Sequence, residues 1–333
     1  MAPLDFVRTP TCDWPAYQVD LANVNPILLI RRLATIAHST LQFATIVVVS
    51  TVLHRNSSRS LAHVQKEKQT VDTLQESIVT DKPQQKEKRT YAGYHSIITG
   101  VDRAWQYGGF PQPDGTFWRY REPDAAVVVE GERMRVSAKL TRAHNQVQIL
   151  DNAKNMFFTT QRFEVPEKGE ISFEWDMQAR CANTAPGDLY DGFISVNLLD
   201  FTTGVALDFF ACNDVIASVY ALLPFPGVPE PVDVEDAVKP KYFCDFNELS
   251  LQTTPGQLHR YRITYHRGKD EVHFFVDGQE ASTYTEVPVK MNGFIIALGL
   301  MTEKTIDQGK SISVHGQVLT GVWGKFTITT RPE

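Results

Sequence analysis

The sequence lacks the features that mark several large functional classes. Its 333 residues include 33 Lys and Arg against 39 Asp and Glu, a net charge of -6, so the basic surplus of a nucleic-acid-binding protein is missing. It contains neither a Gly-rich phosphate loop nor a Gly-x-Ser-x-Gly nucleophile elbow. These absences argue against a nucleic-acid partner, a phosphate-loop enzyme and a serine hydrolase, and we expect no cofactor.

Metal-binding and disulfide patterns are also scarce. The four cysteines are Cys12, Cys181, Cys212 and Cys244, which form no Cys-x-x-Cys pair. No two of the nine histidines have the His-x-His or His-x3-His spacing that is typical of zinc ligands, so we expect no metal site. Two interpretations of the cysteines stay open: four packed thiols, or one disulfide among the last three in an oxidising compartment.

Only one long uncharged run is present, and it lies near the N-terminus. After a tail over 1–32, residues 33–53 carry no formal charge across 21 positions, enough helix to cross a bilayer. Thr, Ser, Gln and His make the run only weakly hydrophobic for a membrane span. Two alternatives therefore stay open: a helix packed on the domain or on a partner, or a true start of the protein that lies further downstream. A polar stalk is predicted over 54–91. A membrane anchor would place the protein at a membrane or in the secretory pathway; otherwise we expect it in the cytoplasm.

From residue 92 to residue 333 the sequence predicts an all-β domain. Short β-branched and aromatic runs alternate with turn signals, and helical periodicity is absent. Strand pairs are predicted within 125–140 and 193–211, and a hairpin with a second turn within 259–281. The nearly continuous apolar run at 293–301 predicts a further strand. Because each strand has one apolar side to bury, we expect two antiparallel sheets packed as a sandwich.

The clearest alternation lies in "ISFEWDMQAR", residues 171–180. Odd-numbered positions such as Trp175 and Met177 are apolar or small, and the even-numbered positions between them are polar. This period of two predicts a strand whose odd side chains are sealed between two layers. We expect the even side chains, from Ser172 to Arg180, to point together into a hollow.

Several stretches carry a resemblance to a known superfamily. "HRYRITYHRGKDEVHFFVDGQEA", followed by "VPVKMNGFIIALGLM", resembles the late strands of the concanavalin A-like lectin/glucanase superfamily. "RFEVPEKGEISFEWDM", "LLDFTTGVALDFFACNDVIASVYALLPF" and "HGQVLTGVW" are similar to concanavalin A-like domains of bacteria and fungi that have no settled activity. The resemblance covers residues 92–330. It implies a two-sheet antiparallel jelly-roll sandwich. The first ninety residues lie outside the resemblance, and their own composition predicts an N-terminal helical extension.

The resemblance also implies where a glucanase would carry its catalytic carboxylates. In those enzymes one strand reads Glu-x-Asp-x-Glu, and the matching positions here are Glu174, Asp176 and Gln178. An amide at the acid/base position cannot protonate a departing sugar oxygen, and both carboxyl groups are required. We therefore expect no glycosidase activity, and two interpretations of this row remain: a solvated sheet face, or a ligand-binding row.

Further candidates for ligand binding come from neighbouring strands and loops. Asp208 is notable because a carboxylate among apolar residues needs partners when it is half-buried. The Pro-rich, acidic segment 222–243 predicts a long loop that could cover a site. The full candidate set consists of Glu174, Asp176, Gln178, Asn197, Asp208, Tyr220, His273, His315, Gln317 and Trp323.

Three functions fit this sequence. A non-hydrolytic enzyme of fungal-type specialised metabolism, such as a cyclase or Diels–Alderase-type pericyclase, would bind a polyketide- or terpenoid-like substrate in an apolar cleft. The resemblance supports this, since similar proteins look like members of fungal pathways that include hetero-Diels–Alder cyclisation. The alternative is a membrane-anchored, lectin-like module that binds glycans without hydrolysing them. A structural domain without a small ligand is the third. Because most aromatics are Phe and Tyr among aliphatic residues, we favour the enzyme.

Overall fold

The computed structural model describes residues 86–111, 115–141, 143–144, 152–223, 242–304 and 313–333. The predicted tail, the predicted helix over 33–53 and most of the predicted stalk lie outside the described residues, as does most of the Pro-rich segment. No helix among the residues that are described has the length and apolar character needed to cross a membrane. Membrane association and the cellular compartment therefore stay predictions.

Sheet I is antiparallel and has β10 near its centre. The strand order is β17-β16-β15-β10-β19-β6-β5, with β20 paired to β10 and β1 paired to β20. Its strands are β1 (Glu87–Tyr91), β5 (Ala126–Glu130), β6 (Arg133–Lys139), β10 (Gly169–Ala182), β15 (Leu258–His266), β16 (Glu271–Val276), β17 (Gln279–Tyr284), β19 (Val318–Trp323) and β20 (Phe326–Pro332).

Sheet II is also antiparallel and packs against sheet I. Its order is β14-β13-β12-β11-β18-β8-β2, with β7 paired to β8 and β9 paired to β18. Its strands are β2 (Trp105–Tyr107), β7 (Ala143–His144), β8 (Asn152–Thr159), β9 (Phe163–Glu164), β11 (Phe193–Asp200), β12 (Val205–Ala211), β13 (Ile216–Leu222), β14 (Phe243–Glu248) and β18 (Gly293–Met301).

Three small elements lie beside the sheets. A two-stranded ribbon consists of β3 (Gly109–Pro111) and β4 (Phe117–Arg119). Helix α1 (His95–Thr99) and a 3-10 turn (Leu189–Asp191) are the helical pieces described. The two packed sheets confirm the predicted fold class, an all-β concanavalin A-like jelly-roll sandwich. Strand β1 moves the start of the sandwich to Glu87, inside the segment that the sequence had indicated as stalk.

The alternation in β10 is confirmed, and it places the core. Every odd-numbered residue from Gly169 to Cys181 is buried, whereas the even-numbered ones are partly or fully exposed. The Trp175 ring is only 1% exposed and lies 6.0 Å, centroid to centroid, from the Phe209 ring of sheet II. Phe173 likewise meets Phe294 across the interface at 5.7 Å. The apolar face of each strand is thus buried against the opposite sheet.

The predicted turn at Asp277-Gly278 is confirmed, and its residues explain its shape. Both have positive φ, 51° and 82°, in the left-handed region that Asp tolerates and Gly favours. The Asp277 carboxylate accepts a hydrogen bond from the Arg260 amide at 2.8 Å and lies 2.7 Å from His259 Nδ1. This side chain therefore ties the turn to the neighbouring strand β15.

Sheet II differs from sheet I because its outer face is also buried. Every residue of β11, β12 and β13 is buried. Phe209 contacts sheet I, so its neighbours Asp208 and Phe210 point away from the core, to the outer face. Asn197 is directly opposite Asp208 and shares that face. A second shielded layer with polar side chains thus lies outside the sandwich core.

Candidate functional site

The ten candidate residues do not form one site. Four lie on the solvent side of sheet I, two lie on the outer face of sheet II, two lie in the core, and two belong to a loop. The single cleft expected from the sequence is therefore corrected to several separate locations, which are described in turn.

On sheet I, Glu174, Asp176 and Gln178 share the solvent side of β10, as the alternation predicts. The Asp176 carboxylate accepts a hydrogen bond from Arg260 Nε at 3.0 Å. His273, on β16, also faces outward, and its Nδ1 lies 2.7 Å from a Glu280 carboxylate oxygen. Asp176 and Glu280 are thus engaged with neighbouring side chains rather than gathered in an enclosed cleft.

Tyr220 and Trp323 are core residues, not cleft residues. Trp323 is fully buried, and its indole Nε1 donates a hydrogen bond to the Ser195 carbonyl oxygen at 3.2 Å. Tyr220 is 4% exposed and packs edge-on against Phe243 and Tyr284 at centroid distances of 4.9 and 5.0 Å. Large rings with these contacts stabilise the sandwich by packing.

His315 and Gln317 belong to a group of side chains that form hydrogen bonds and ion pairs with Asp191. His315 Nε2 lies 2.8 Å from Asp191 Oδ1, and Lys304 Nζ lies 2.9 Å from the same oxygen. Buried Gln317 donates from its amide to the carbonyl oxygens of Asp191 and Ser313 at 3.1 and 2.7 Å. Burial alone would raise the pKa of Asp191, but bonds from His315, the Ala185 amide and Lys304 outweigh burial and lower it.

Asn197 and Asp208 mark an enclosed polar location on sheet II. We call the surrounding surface the Asp208 face, the outer side of sheet II. Asn197 Nδ2 donates to Ser195 Oγ at 2.9 Å and to the Ala297 carbonyl at 3.2 Å. Asp208 is 5% exposed, and its Oδ1 has no hydrogen-bond partner among the described residues. An unpaired buried carboxyl oxygen is costly, so it marks a place where a ligand could supply the partner.

Small residues form the middle of the Asp208 face. Ala297 and Gly299 of β18 lie opposite Asn197 and Ser195 of β11. A Cβ at Gly299 would lie 2.5 Å from Ser195 Oγ, so a larger residue would force the neighbouring side chains to shift. Larger apolar side chains on the neighbouring positions of the same face are Met156, Phe158, Phe193, Phe210, Val219, Phe246 and Met301.

Two further ionisable residues belong to this face, and the sequence analysis missed both. Lys154 lies on β8 opposite Met301, and Glu303 follows two residues after Met301. No ion pair within 4.0 Å joins either one to Asp208 among the residues described. The Lys154 ammonium instead lies 5.6 Å from the centre of the Tyr120 ring. Three ionisable groups thus share a shielded region without direct pairing.

Burial dominates the acid–base properties of these three groups. It raises the pKa of Asp208 well above its usual value, with Glu303 adding to the rise and Lys154 opposing it. Burial also raises the pKa of Glu303, against the effect of Lys154, and lowers the pKa of Lys154, against Glu303 and Asp208. Every shift favours the uncharged form, so the Asp208 carboxyl keeps its proton to a higher pH than an exposed aspartate.

A lysine in the run "NAKNMFF" was the available signal for Lys154, but a lone lysine in a strand normally lies on a solvated face. Its significance depends on the burial of both faces of sheet II, which is a tertiary property. Among the described residues, no group of three or more His, Cys, Asp or Glu side chains could hold a metal ion. Cys181 and Cys212 are buried free thiols, and Cys244 forms no disulfide with either of them.

Comparison with known proteins gives a family. The profile of a family of unknown function, DUF6081, matches residues 98–332. No curated protein sequence matches the chain significantly. A Bacillus licheniformis β-glucanase structure is 13% identical with a TM-score of 0.40, covering 69% of this chain and 94% of its own. The catalytic domain of an endo-1,3-β-glucanase (laminarinase) from Thermotoga petrophila is 12% identical with a TM-score of 0.43, covering 70% and 92%. The Emp47p carbohydrate recognition domain is 13% identical with a TM-score of 0.37, covering 68% and 88%.

Proposed function

The chain belongs to the DUF6081 family, and from its own residues we propose that it is a non-hydrolytic enzyme acting on an apolar, oxygen-bearing substrate at the Asp208 face. A cyclase or pericyclase on a polyketide- or terpenoid-like molecule is the reaction class we favour. The observation that carries the proposal is the unpaired, buried Asp208 carboxyl among apolar side chains.

The composition of the Asp208 face supports an apolar substrate. Its middle is made of small residues, Ala297 and Gly299, beside Ser195, and larger apolar side chains such as Phe158 and Phe210 surround them. A flat hydrocarbon framework gains contact on such a surface by displacing water, at roughly 25 cal/mol for each Å² of apolar area buried. The few polar groups can fix its orientation, as in most small-molecule sites.

Asp208 can supply the chemistry. A carboxyl that keeps its proton donates a hydrogen bond, and in an apolar site such a donor polarises a substrate carbonyl oxygen. A cycloaddition, or a cyclisation that is an isomerisation, gains and loses no atoms, so the protein must fold the substrate and stabilise charge that develops on that oxygen. The Asn197 amide lies opposite Asp208 and helps to fix the orientation of the substrate there. Glu303 raises the pKa of Asp208 and Lys154 lowers it, so the two together influence how tightly the carboxyl holds its proton.

The row on β10 gives less support for a site of this kind. Glu174 and Asp176 lie on the solvent side of sheet I, and Asp176 is paired with Arg260. Gln178 stands where the resemblance to glucanases would place the acid/base carboxyl, and an amide cannot act as that acid. The lectin-like alternative would favour exposed tryptophan rings; none of the described tryptophans is among the exposed large hydrophobic side chains.

The experiment is a comparison of metabolites in a strain that lacks the gene and is complemented with variants. Wild type and Glu174→Gln should both restore the cyclised product, whereas Asp208→Asn should leave an uncyclised precursor to accumulate. Because both substitutions replace one carboxylate by an amide, Glu174→Gln is a matched control. Unchanged metabolites with Asp208→Asn would contradict the proposal. Release of reducing sugar from a β-glucan by the purified protein would contradict it as well.

A further inference from the structure

Lys154 is a half-buried lysine on the Asp208 face, and in the described part of the chain no carboxylate lies within 4.0 Å of its ammonium group. It is on β8, directly opposite Met301 of β18. Its ammonium nitrogen lies 5.6 Å from the centre of the Tyr120 ring. Lysines normally keep the charged end in water, so an amine on an apolar face and outside an ion pair is unusual.

Glu303 is a diagonal neighbour of Lys154. The ladder between β8 and β18 continues past the pair Lys154 and Met301, since the Thr302 amide donates to the Ala153 carbonyl oxygen at 3.0 Å. Glu303, two residues after Met301, therefore lies on the same side as Lys154 and one row further on. Such diagonal positions are about 7–8 Å apart, within reach of long side chains. The carboxyl group can thus exchange protons with a group bound at Lys154.

A continuous surface connects Lys154 with Asp208. Phe158, four residues after Lys154, begins the row of paired residues that ends at Asp208. Asp208 is therefore about 14 Å from Lys154 across the strands and about 13 Å along them. A ligand that contacts both groups is longer than a single ring. The residues between them on this face are Met156, Gly299, Ser195, Ala297 and Asn197.

The acid–base state of this pair suits a reaction with a carbonyl group. Burial lowers the pKa of Lys154, against the opposing effects of Glu303 and Asp208, and so favours the neutral amine, the form that attacks carbonyl carbon. Burial raises the pKa of Glu303, so its carboxyl group keeps a proton to a higher pH than an exposed glutamate. A neutral amine beside a proton donor is the pairing that imine formation requires.

We propose that Lys154 forms an imine with a ketone or aldehyde group of the substrate, with Glu303 as the acid and base. This inference rests on the proposed function for the apolar class of substrate. It adds a covalent anchor at one end of the molecule, while Asp208 binds an oxygen at the other end. A covalent step of this kind divides one difficult reaction into easier ones.

The bond changes balance without an oxidant or a reductant. The Lys154 nitrogen attacks the carbonyl carbon, a C–N bond forms, and Glu303 moves a proton from nitrogen to oxygen to give a carbinolamine. Glu303 then protonates the hydroxyl group, water leaves, and the nitrogen returns a proton to the carboxylate as the C=N bond forms. After ring closure, addition of water reverses these steps and releases the product.

Reductive trapping tests the amine directly. The full chain would be incubated at pH 7 with hexanal or with glycolaldehyde and sodium cyanoborohydride, which reduces an imine to a stable secondary amine, and peptide mass spectrometry would locate the label. Hexanal should label Lys154 at least about tenfold faster than Lys269, an exposed turn residue, because a buried amine is less often protonated. Relative to Lys269, Lys154 should also prefer hexanal over the polar glycolaldehyde at least about tenfold.

Variants assign the roles of the two residues. Lys154→Arg keeps the charge but forms no imine and should lose this label alone, whereas Lys269→Arg should retain it. Glu303→Gln should slow labelling of Lys154 at least about tenfold through loss of the acid. Glu130→Gln, at an exposed position on β5, makes the same replacement and should have no effect. Circular dichroism would verify that every variant is folded.

The result separates this inference from the proposed function. Labelling of Lys154 no faster than that of Lys269, or without preference for hexanal, would overturn the imine and leave the metabolite test of Asp208→Asn standing. Equal effects of Glu303→Gln and Glu130→Gln would overturn the assigned acid. Preferential labelling of Lys154 together with unchanged metabolites in Asp208→Asn would support the reactive amine and contradict the proposed function.

Discussion

Glu174 and Asp208 lie on opposite sides of the hydrophobic core. Glu174 is on the solvent side of sheet I, and Asp208 is on the buried outer face of sheet II. The Trp175 and Phe209 rings, each next in sequence to one of them, meet between the sheets. A single site therefore cannot use both carboxyls, and substitutions at the two positions test different hypotheses.

Asp208→Asn should make the protein more stable at alkaline pH. Burial raises the pKa of Asp208, so its contribution to stability is complete below the unfolded value of about 3.9 and is lost as pH rises through the folded value. Asparagine does not ionise, and we expect the variant to gain about 1 kcal/mol at pH 8, or roughly 2–4 °C in Tm. The gain should disappear towards pH 4.

Thermal unfolding followed by circular dichroism at pH 4, 6 and 8 checks this expectation. Asp245→Asn makes the same carboxyl-to-amide replacement at an exposed position on β14 and serves as the control. A variant Asp208→Asn that is less stable than wild type at pH 8 would show that the charged carboxylate has a stabilising partner.

Two buried tryptophans should respond differently to replacement by phenylalanine. Trp323 Nε1 donates to the Ser195 carbonyl oxygen, whereas buried Trp175 Nε1 has no partner among the described residues. Trp323→Phe loses a hydrogen bond, and Trp175→Phe removes an unpaired donor. We expect Trp323→Phe to lower the free energy of unfolding by about 1–2 kcal/mol more than Trp175→Phe, measured by urea denaturation. Equal losses, or the reverse order, would contradict the assigned contacts.

Gly299→Ala should destabilise the protein through crowding on the Asp208 face. The new methyl group would lie 2.5 Å from Ser195 Oγ and 2.9 Å from Met301 Sδ. Overpacking of this kind costs about 1–3 kcal/mol in the free energy of unfolding. Because Ser195→Ala removes the nearest atom, the double variant should lose less than the sum of the single losses, which a urea double-mutant cycle measures. A neutral Gly299→Ala would mean that this face is less closely packed.

Asp277→Asn should lower stability at neutral pH but not in acid. Burial alone would raise the pKa of Asp277, but bonds from the Arg260 amide and His259 outweigh it and lower the pKa. A lowered pKa gives stability above the unfolded value of about 3.9, which is lost as pH falls through the folded value. The carboxylate is 46% exposed, so solvent screening limits the loss to about 1 kcal/mol or less at pH 7. Urea denaturation at pH 7 and pH 3 measures it, and an equal loss at both values would show that ionisation is not involved.

Local patterns in the sequence were sufficient for the strands and much of the core. The alternation around Trp175 and the Asp277-Gly278 turn each depend on neighbours in the chain, and both predictions are confirmed. Asp208 was notable in sequence for the same reason, as a charged residue inside an apolar run. Glu87–Tyr91 resembled a linker because its strand character comes from pairing with the distant β20.

The composition of the site depended on tertiary structure and could not be predicted in the same way. Lys154 and Glu303 become members of the Asp208 face only because sheet II is buried on both faces. Trp323 lies in a Gly-punctuated segment that suggested access to a cleft. However, side chains alternate between the two faces of β19, and the Trp323 side chain is on the face that packs into the core. Tyr220 is turned inward for the same reason. Strand parity relative to a second sheet is a long-range property, and no local pattern reports it.

The most direct test of the account is conversion of a purified precursor by purified protein. The compound that accumulates in the strain without the gene would be incubated with wild type, Asp208→Asn and Glu174→Gln, and product formation would be followed by chromatography. We predict that Glu174→Gln matches wild type and that Asp208→Asn is slower by about 100-fold, because an amide is a weaker hydrogen-bond donor than a protonated carboxyl and one donor to a developing oxyanion has an effect of about that size. Full activity of Asp208→Asn together with an inactive Glu174→Gln would contradict the account and place the chemistry on sheet I.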